Sequence, residues 1–326
     1  MADGDNDIFV YLGGEQEVPD GVTHAIIDPS VNIVRRRAFY KRKRLVSVIF
    51  HDGVEIIEQE AFWNCLSLRG TIKLLGVRDI RKGAFCYCRA LKDVEFGDRL
   101  ETVGSNAFRY CECLGSIKSL SVRTVQAEAF CYCEALTDVE FGINLETIDV
   151  NSFYNCPRLR RIAIPLKDGL FRFDDLFHRY TQFDNCSNLT MVDIVGAEAI
   201  HTTISSLLLD SWRDDMKAKI NRINRELPNT NSRVARGNAI QVWVRLVINR
   251  MEHYKAEHNR LLKEHMTLLE LAVWKAKLDE EEEDSTLKVH ATKRAKIDEE
   301  SAKEEKRITS GADIIIKNVL PFLKLA

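Results

Sequence analysis

Ile80-Arg81-Lys82-Gly83-Ala84-Phe85-Cys86-Tyr87-Cys88-Arg89-Ala90-Leu91-Lys92-Asp93-Val94 is the stretch whose reading decides the fold. Its Ala84-Phe85 pair has counterparts at Ala38-Phe39, Ala61-Phe62, Ala107-Phe108, Ala129-Phe130 and Ser152-Phe153, in steps of 22 or 23 residues, and at Gln182-Phe183 after a longer step. Four residues past the first member of each pair stands Cys65, Cys88, Cys111, Cys133, Cys156 or Cys186, with Arg42 in the first copy. Three further on come Leu45, Leu68, Leu91, Leu114, Leu136, Leu159 and Leu189. Four residues before the pair come Val34, Ile57, Ile80, Val103, Val125 and Ile148, with His178 in the last copy.

A fixed period of this length is the signature of a stacked array, because one unit is too small to bury its own apolar face. Equivalent side chains of successive units then form ladders, and the phenylalanines form one of them. In Leu91-Lys92-Asp93-Val94-Glu95-Phe96, alternation sends Leu91, Val94 and Phe96 inward and Asp93 and Glu95 outward, which predicts parallel strands, one per repeat.

The pattern Ile-x-x-x-Ala-Phe-x-x-Cys-x-x-Leu-x-x-Val resembles the BspA-like leucine-rich repeat, and it is similar to multi-copy repeat proteins of unicellular microalgae. The resemblance covers slightly more than half of the chain. It implies an α/β protein with a leucine-rich-repeat β-solenoid of parallel strands and a binding role, and it brings no catalytic residues with it. Arg42, His178 and the insertion at 166–181 depart from the pattern.

A longer period lies inside the first. Gly70-Thr71-Ile72-Lys73 returns as Gly115-Ser116-Ile117-Lys118, and Asp93-Val94-Glu95-Phe96-Gly97 as Asp138-Val139-Glu140-Phe141-Gly142, each 45 residues on. A two-repeat unit was duplicated. Lys73, Glu95, Lys118 and Glu140 then occupy equivalent outward positions in consecutive repeats, about 4.8 Å apart. This ladder of alternating charge reads as mutual neutralisation or as a polar docking surface.

The first repeat carries a second candidate surface. Arg35, Arg36, Arg37, Lys41, Arg42, Lys43 and Arg44 put seven cations around one Ala-Phe pair. They read as a polar cap on a solenoid end, or as a contact for an anionic partner, nucleic acid or acidic protein. Lys293-Arg294-Ala295-Lys296 is a basic cluster of the kind that serves nuclear import.

Beyond Gly196 the apolar spacing becomes helical. Ile200, Ile204, Leu207, Leu208, Met216, Ile220, Ile223 and Leu227 predict one helix ending at Pro228. A second helix is expected from about Asn238 to Asp279, with Val244, Val247, Met251, Tyr254, His258, Leu261, His265 and Leu268 at heptad steps. The two form an antiparallel hairpin in which the longer second helix leaves an apolar stripe for a second copy, a partner helix or the terminal segment around Ile314 to cover. The organisation read from the sequence is an N-terminal segment at 1–21, a solenoid of about seven repeats at 22–196, a coiled-coil-like hairpin at 197–280, a charged linker at 281–309 and a C-terminal amphipathic segment at 310–326.

Composition narrows the function. Of 326 residues 45% are hydrophobic and the formal net charge is -2, which argues against a dedicated nucleic-acid binder. The first fourteen residues hold Asp3, Asp5 and Asp7 and no cation, unlike a secretory or transit signal. No apolar stretch reaches the roughly 20 residues of a membrane span. The expectation is a chain of the cytosol or nucleus with its nine cysteines reduced. Cys86/Cys88, Cys111/Cys113 and Cys131/Cys133 are close enough to suggest zinc, but their Cys-x-Cys step is not the usual one and core packing explains them better. No Ser/His/Asp set, phosphate-binding glycine loop or His-Glu-x-x-His element occurs. The reading is a protein-binding scaffold with no catalytic, cofactor or metal residues, a protein partner, no membrane, and self-association through the helical half. The alternative is a nuclear factor that contacts an anionic partner through the basic first repeat.

Overall fold

The computed structural model describes residues 8–172, 182–229 and 235–290, with no account of the side chains of 229, 235 and 280–290. His178, Lys293, Arg294, Lys296 and the terminal segment around Ile314 lie outside the described residues. Among these residues, contacts group those up to Ile200 with Lys217–Ile248 as one unit, and His201–Met216 with those from Asn249 on as a second.

The first unit is a solenoid in which each full turn supplies two short parallel strands, not the one expected. The first ladder runs through Ile8–Tyr11, His24–Ile27 and Ser47–Ile49, then Gly70–Leu74 with Leu91–Phe96, then Ser116–Ser119, Asp138–Phe141, Arg161–Pro165 and Met191–Val195. The second is made of two-residue strands, Ile33–Val34, Ile56–Ile57, Asp79–Ile80, Thr102–Val103, Thr124–Val125 and Thr147–Ile148, side by side in one sheet. Each ends on the β-branched residue that recurs in the sequence, and those residues are buried. Two residues are too short to show alternation, so periodicity could not reveal them.

The corner between the two ladders explains the Ala-Phe pair. Gly83 N, Phe85 N and Tyr87 N donate to Ser105 O, Ala107 O and Arg109 O of the next turn at 2.9, 2.8 and 2.8 Å, and the same rungs recur along the array. To aim every second N–H along the solenoid axis, the residue before the pair and the residue two past the phenylalanine take the left-handed conformation. Arg37, Glu60, Gly83, Asn106, Glu128 and Asn151 have φ of 56–64°, and Lys41, Asn64, Tyr87, Tyr110, Tyr132, Asn155 and Asn185 have φ of 57–63°. Between them the phenylalanines stack. Phe39, Phe62, Phe85, Phe108, Phe130, Phe153 and Phe183 stand 4.8 to 5.6 Å apart with planes within 12° of parallel. Each is fully or almost fully buried, which contributes about 1.5–3 kcal/mol apiece.

The recurring cysteine does more than fill space. Cys65, Cys88, Cys111, Cys133, Cys156 and Cys186 each donate S–H to the carbonyl of the previous turn's phenylalanine, at 3.0 to 3.3 Å. That bond satisfies a second lone pair on a buried carbonyl with a side chain small enough for the core. Arg42 departs because the first copy has no earlier phenylalanine behind it. Its guanidinium instead donates to Val18 O and Tyr40 O and pairs with Asp20.

Both ends of the first ladder are closed by carboxamides. At the Ile8–Tyr11 edge, Gln16 accepts from Leu12 N at 2.6 Å and donates to Val10 O at 3.2 Å. At the Met191–Val195 edge, Asn224 accepts from Val192 N at 2.8 Å and donates to Val192 O at 3.2 Å. Each side chain makes the hydrogen bonds that the peptide group of a neighbouring strand would make and blunts an edge that would otherwise invite pairing.

Beyond Gly196 the chain is helical, as its apolar spacing predicts, but the first predicted helix is broken. It comprises α1 (Ala197–Ser205), α2 (Asp210–Ile220) and α3 (Arg222–Glu226), followed by a 3-10 turn at Leu227–Asn229. Ser206 donates to Thr203 O at 2.7 Å, an alternative to helix continuation that hydroxyl residues favour, and the chain leaves the helix there. The second helix, α4 (Ala235–His290), is longer than expected at 56 residues. Its glutamate run at 280–283 is a good helix former, so helix extends into the stretch read as linker. In the first unit, Trp243 Nε1 donates to Lys219 O at 2.9 Å and Arg236 donates to Cys186 O and Ser187 O on the last turn of the solenoid. In the second unit, α2 and α4 run antiparallel. Trp212 stacks on Tyr254 at 5.0 Å, and Asp215 accepts from Arg250 and Tyr254, both at 2.9 Å.

Candidate interaction surface

The outward charge ladder closes on itself in pairs. Lys73 meets Glu95 at 3.2 Å and Lys118 meets Glu140 at 3.0 Å, between strands in register. With both lysines 65% exposed, each pair contributes at most about 1 kcal/mol. What the ladder presents to a partner is two neutralised pairs. The same outward position nearer the N-terminus is apolar, since Val10, Ile26 and Ile49 are register neighbours and Ile49 is 59% exposed.

The basic first repeat is split. Arg42 turns inward as described, and Arg37 pairs with Glu60 at 2.5 Å. That bond raises the Arg37 guanidinium above its usual range, and the same contact, against burial, keeps the Glu60 carboxyl below its own. Arg35, Arg36, Lys41, Lys43 and Arg44 are exposed. None of these five forms an ion pair among the described residues.

A third surface escaped the reading of the sequence. Tyr40, Trp63, Tyr87, Tyr110, Tyr132 and Tyr154 form a second aromatic ladder on the solvent side of the corner, with rings 4.5 to 5.5 Å apart. All six are half-buried. The middle rings are nearly parallel, with Tyr87 and Tyr110 at 10° and Tyr110 and Tyr132 at 12°. Arginines ride on the stripe: Arg37 lies over Tyr40, Arg89 over Tyr87, and Arg109 over Tyr110 and, more distantly, Tyr132, at 5.0 to 5.9 Å. Arg89 and Arg109 also pair with Glu112 and Glu128 of the next turns. The signal was present in the sequence, because each Ala-Phe or Ser-Phe pair from the first to the sixth is followed within two residues by an aromatic. It was hidden by a one-residue shift, from the position after phenylalanine in Tyr40, Trp63 and Tyr154 to the next one in Tyr87, Tyr110 and Tyr132.

The shift has a conformational cost. The left-handed position holds Asn64, Asn155 and Asn185 in other turns, and asparagine tolerates it. Three consecutive tyrosines there each carry a penalty on the order of 1 kcal/mol. Ring stacking, at about 0.5–1.5 kcal/mol per pair, offsets it.

The thiols offer no reactive group at this surface. Burial pushes Cys86 and Cys131 up to about 12, with Arg109 lowering each only in part, and burial holds Cys88, Cys111 and Cys156 well above the ordinary thiol range. Cys113 alone among the nine is exposed. Among the described residues no three His, Cys, Asp or Glu side chains are grouped to hold a metal ion. In the second unit, α4 leaves Met266, Leu268, Leu271, Trp274 and Leu278 exposed, Trp274 by 67%. No described helix is long and apolar enough to cross a membrane.

The sequence profile described as BspA type Leucine rich repeat region matches the chain in six copies, over residues 20–122, 71–190 and 116–209, together more than half of its length. No curated protein matches. Among solved structures, the chain is similar to a leucine rich repeat protein of T. pallidum (22% identity, 57% of this chain and 73% of that one, TM-score 0.34). It is also similar to a leucine rich cell surface protein of Faecalibacterium prausnitzii (18% identity, 55% and 80%, TM-score 0.23). A leucine-rich repeat protein of Bacteroides ovatus is a third (17% identity, 58% and 69%, TM-score 0.26).

Proposed function

The chain belongs to the BspA-type leucine-rich repeat family, and from that premise we propose that it is a non-enzymatic scaffold whose solenoid holds a protein partner. The observation that carries the proposal is the stripe from Tyr40 to Tyr154. Tyrosine, tryptophan and arginine are the residues that dominate binding energy at protein interfaces. Here they form one continuous, half-exposed band on a rigid support, and rings already held by stacking lose little entropy when a partner docks. The neutralised Lys73/Glu95 and Lys118/Glu140 pairs serve solubility.

The test is site-specific photocrosslinking of the full chain in its own cells. A benzophenone side chain at Tyr110 is expected to capture one discrete protein, and the same group at Lys118 is expected to capture it weakly or not at all. If neither these two positions nor Leu271 on α4 yields a discrete adduct, the scaffold reading fails.

The apolar residues left exposed on α4 support a second contact, self-association through the helical half. Light scattering of the full chain at micromolar concentration is expected to show a dimer that Trp274→Glu dissociates. A strict monomer refutes it.

A further inference from the structure

We propose that the partner of the aromatic stripe is an extended protein segment, acidic at the end that meets the first repeat and uncharged, with prolines or aromatics, along the tyrosines. This rests on the scaffold reading above and names the ligand of that same surface.

The stripe is long and narrow. Five steps of 4.5 to 5.5 Å separate Tyr40 from Tyr154, and an extended chain at about 3.3 Å per residue covers that span with roughly seven or eight residues. A single helix or strand edge laid along it would touch every ring. An extended segment does so with the fewest residues to order.

Charge is distributed unevenly along this length. At the first repeat Arg37 and Lys41 both lie 5.0 Å from the Tyr40 ring. Lys43 occupies the repeat position that Arg89 holds beside Tyr87, five residues past the first member of the pair, so it flanks the same end. Lys41 and Lys43 are exposed and form no ion pair among the described residues. Carboxylates on the partner gain most here. Further along, the flanking residues are Glu60, Glu112, Glu128 and Glu134, and Arg89 and Arg109 are already matched by Glu112 and Glu128. Since Glu60, Glu112 and Glu128 hold Arg37, Arg89 and Arg109 in ion pairs and Glu134 adds an exposed carboxylate, an acidic chain that continued past the first repeat would find no unmatched cation among these flanking residues.

The rings set the chemistry of the remainder. Tyr87, Tyr110 and Tyr132 cover one another's faces at 4.5 and 4.6 Å, so what they offer is edges and hydroxyls. Aromatic edges are electropositive and take the face of another ring, or a carbonyl oxygen, and the phenols donate hydrogen bonds. Prolyl and aromatic segments supply those groups with little conformational freedom to lose. A single-stranded nucleic acid fits worse on two counts. Its bases bind aromatic faces, which are consumed here, and its phosphates beyond the first repeat would find Arg89 and Arg109 already paired with Glu112 and Glu128.

Selection of random dodecapeptides displayed on phage, against the purified full chain, tests the proposal. The expected pool carries two or more Asp or Glu at one end and Pro, Tyr, Trp or Phe in the remainder. The best synthetic peptide is expected to lose at least tenfold in affinity on Tyr110→Asn, a residue that the same left-handed position accepts in Asn64 and Asn155. A similar loss is expected on Lys43→Glu, with the circular-dichroism spectrum unchanged in both. Tyr87→Asn serves if Tyr110→Asn fails to fold. Enriched peptides without the acidic end, or peptides indifferent to both substitutions, overturn the stripe proposal and leave the scaffold reading standing. A twelve-nucleotide single strand that binds tighter than the best peptide overturns it in favour of nucleic acid. No enrichment, together with no photocrosslinked adduct, removes both.

Discussion

Replacing Phe108 by alanine tests whether the phenylalanine ladder holds the solenoid together. Phe108 is fully buried, with Phe85 at 5.3 Å on one face, Phe130 at 5.4 Å on the other and Phe96 at 6.0 Å against its edge. Truncating a buried phenylalanine costs about 3–5 kcal/mol, depending on how far the surroundings can collapse. Collapse is hindered here. Phe85 N is fastened to Ala107 O at 2.8 Å and Phe108 N to Ala129 O at 2.8 Å, so the turns cannot close on the hole without losing backbone rungs. The expected loss is therefore near 4–5 kcal/mol, comparable with the lower end of whole-domain stabilities. Phe108→Leu keeps most of the apolar volume and is expected to cost only about 1–2 kcal/mol. A solenoid is held by nearest-neighbour interfaces, so weakening a central one also uncouples the turns on either side and lowers the denaturant m-value. Urea unfolding followed by far-ultraviolet circular dichroism measures both quantities. A loss under about 1.5 kcal/mol for Phe108→Ala, or equal losses for alanine and leucine, would refute the ladder as the source of stability.

Other substitutions probe the remaining devices. A Cβ at Gly97 or Gly142 would lie 1.8 Å from Leu75 O or Leu120 O, so either Gly→Ala change should leave the chain insoluble or lower Tm sharply, whereas Gly115→Ala, with its nearest atom 3.9 Å away, should shift Tm little. Asn224→Ala removes both bonds to Val192 and opens the last strand edge; a loss of about 1–2 kcal/mol and the appearance, by light scattering, of species larger than the parent protein are expected, and a size unchanged from the parent would count against the edge-cap role. Because burial raises Cys86 and Cys131 to about 12, their protonated form stabilises the fold in full below the pKa of an unfolded thiol, about 8.5, and that stabilisation is lost as pH climbs from there toward 12. Native protein at pH 8 should accordingly react with one equivalent of a thiol reagent, at Cys113, and three or more fast thiols would contradict the buried arrangement. Charge reversal at Glu95 and Glu140 together should change stability by no more than about 1–2 kcal/mol and leave the crosslinked partner unchanged.

The stacking of the array was legible in the sequence because it is written once per turn. A buried ladder demands the same residue type at each step, so Phe108, Cys111, Leu114 and Val103 announce their positions by recurrence alone. The helical half was legible for a similar reason, through apolar spacing and the stop at Pro228, although Ser206 breaks its first helix by local hydrogen bonding that periodicity does not weigh. The second strand ladder was not legible, since two residues carry no alternation. Nor were the carboxamide caps, because Gln16 and Asn224 reach backbone atoms fixed by the fold and lie in no shared motif.

The sequence by itself determined that this protein is a solenoid of repeated turns, that the phenylalanine and cysteine recurring once per turn point inward, and that Lys73, Glu95, Lys118 and Glu140 lie on one outward ladder. Tertiary structure decided which surface is available. It brought the lysines and glutamates within ion-pair distance and so neutralised them, turned Arg42 away from the basic cluster, and aligned Tyr40, Trp63, Tyr87, Tyr110, Tyr132 and Tyr154 despite their one-residue shift. The physical reason is the rung itself. Axial backbone hydrogen bonds set two left-handed residues in each turn, and that geometry carries a ring at either of two neighbouring positions to the same stripe.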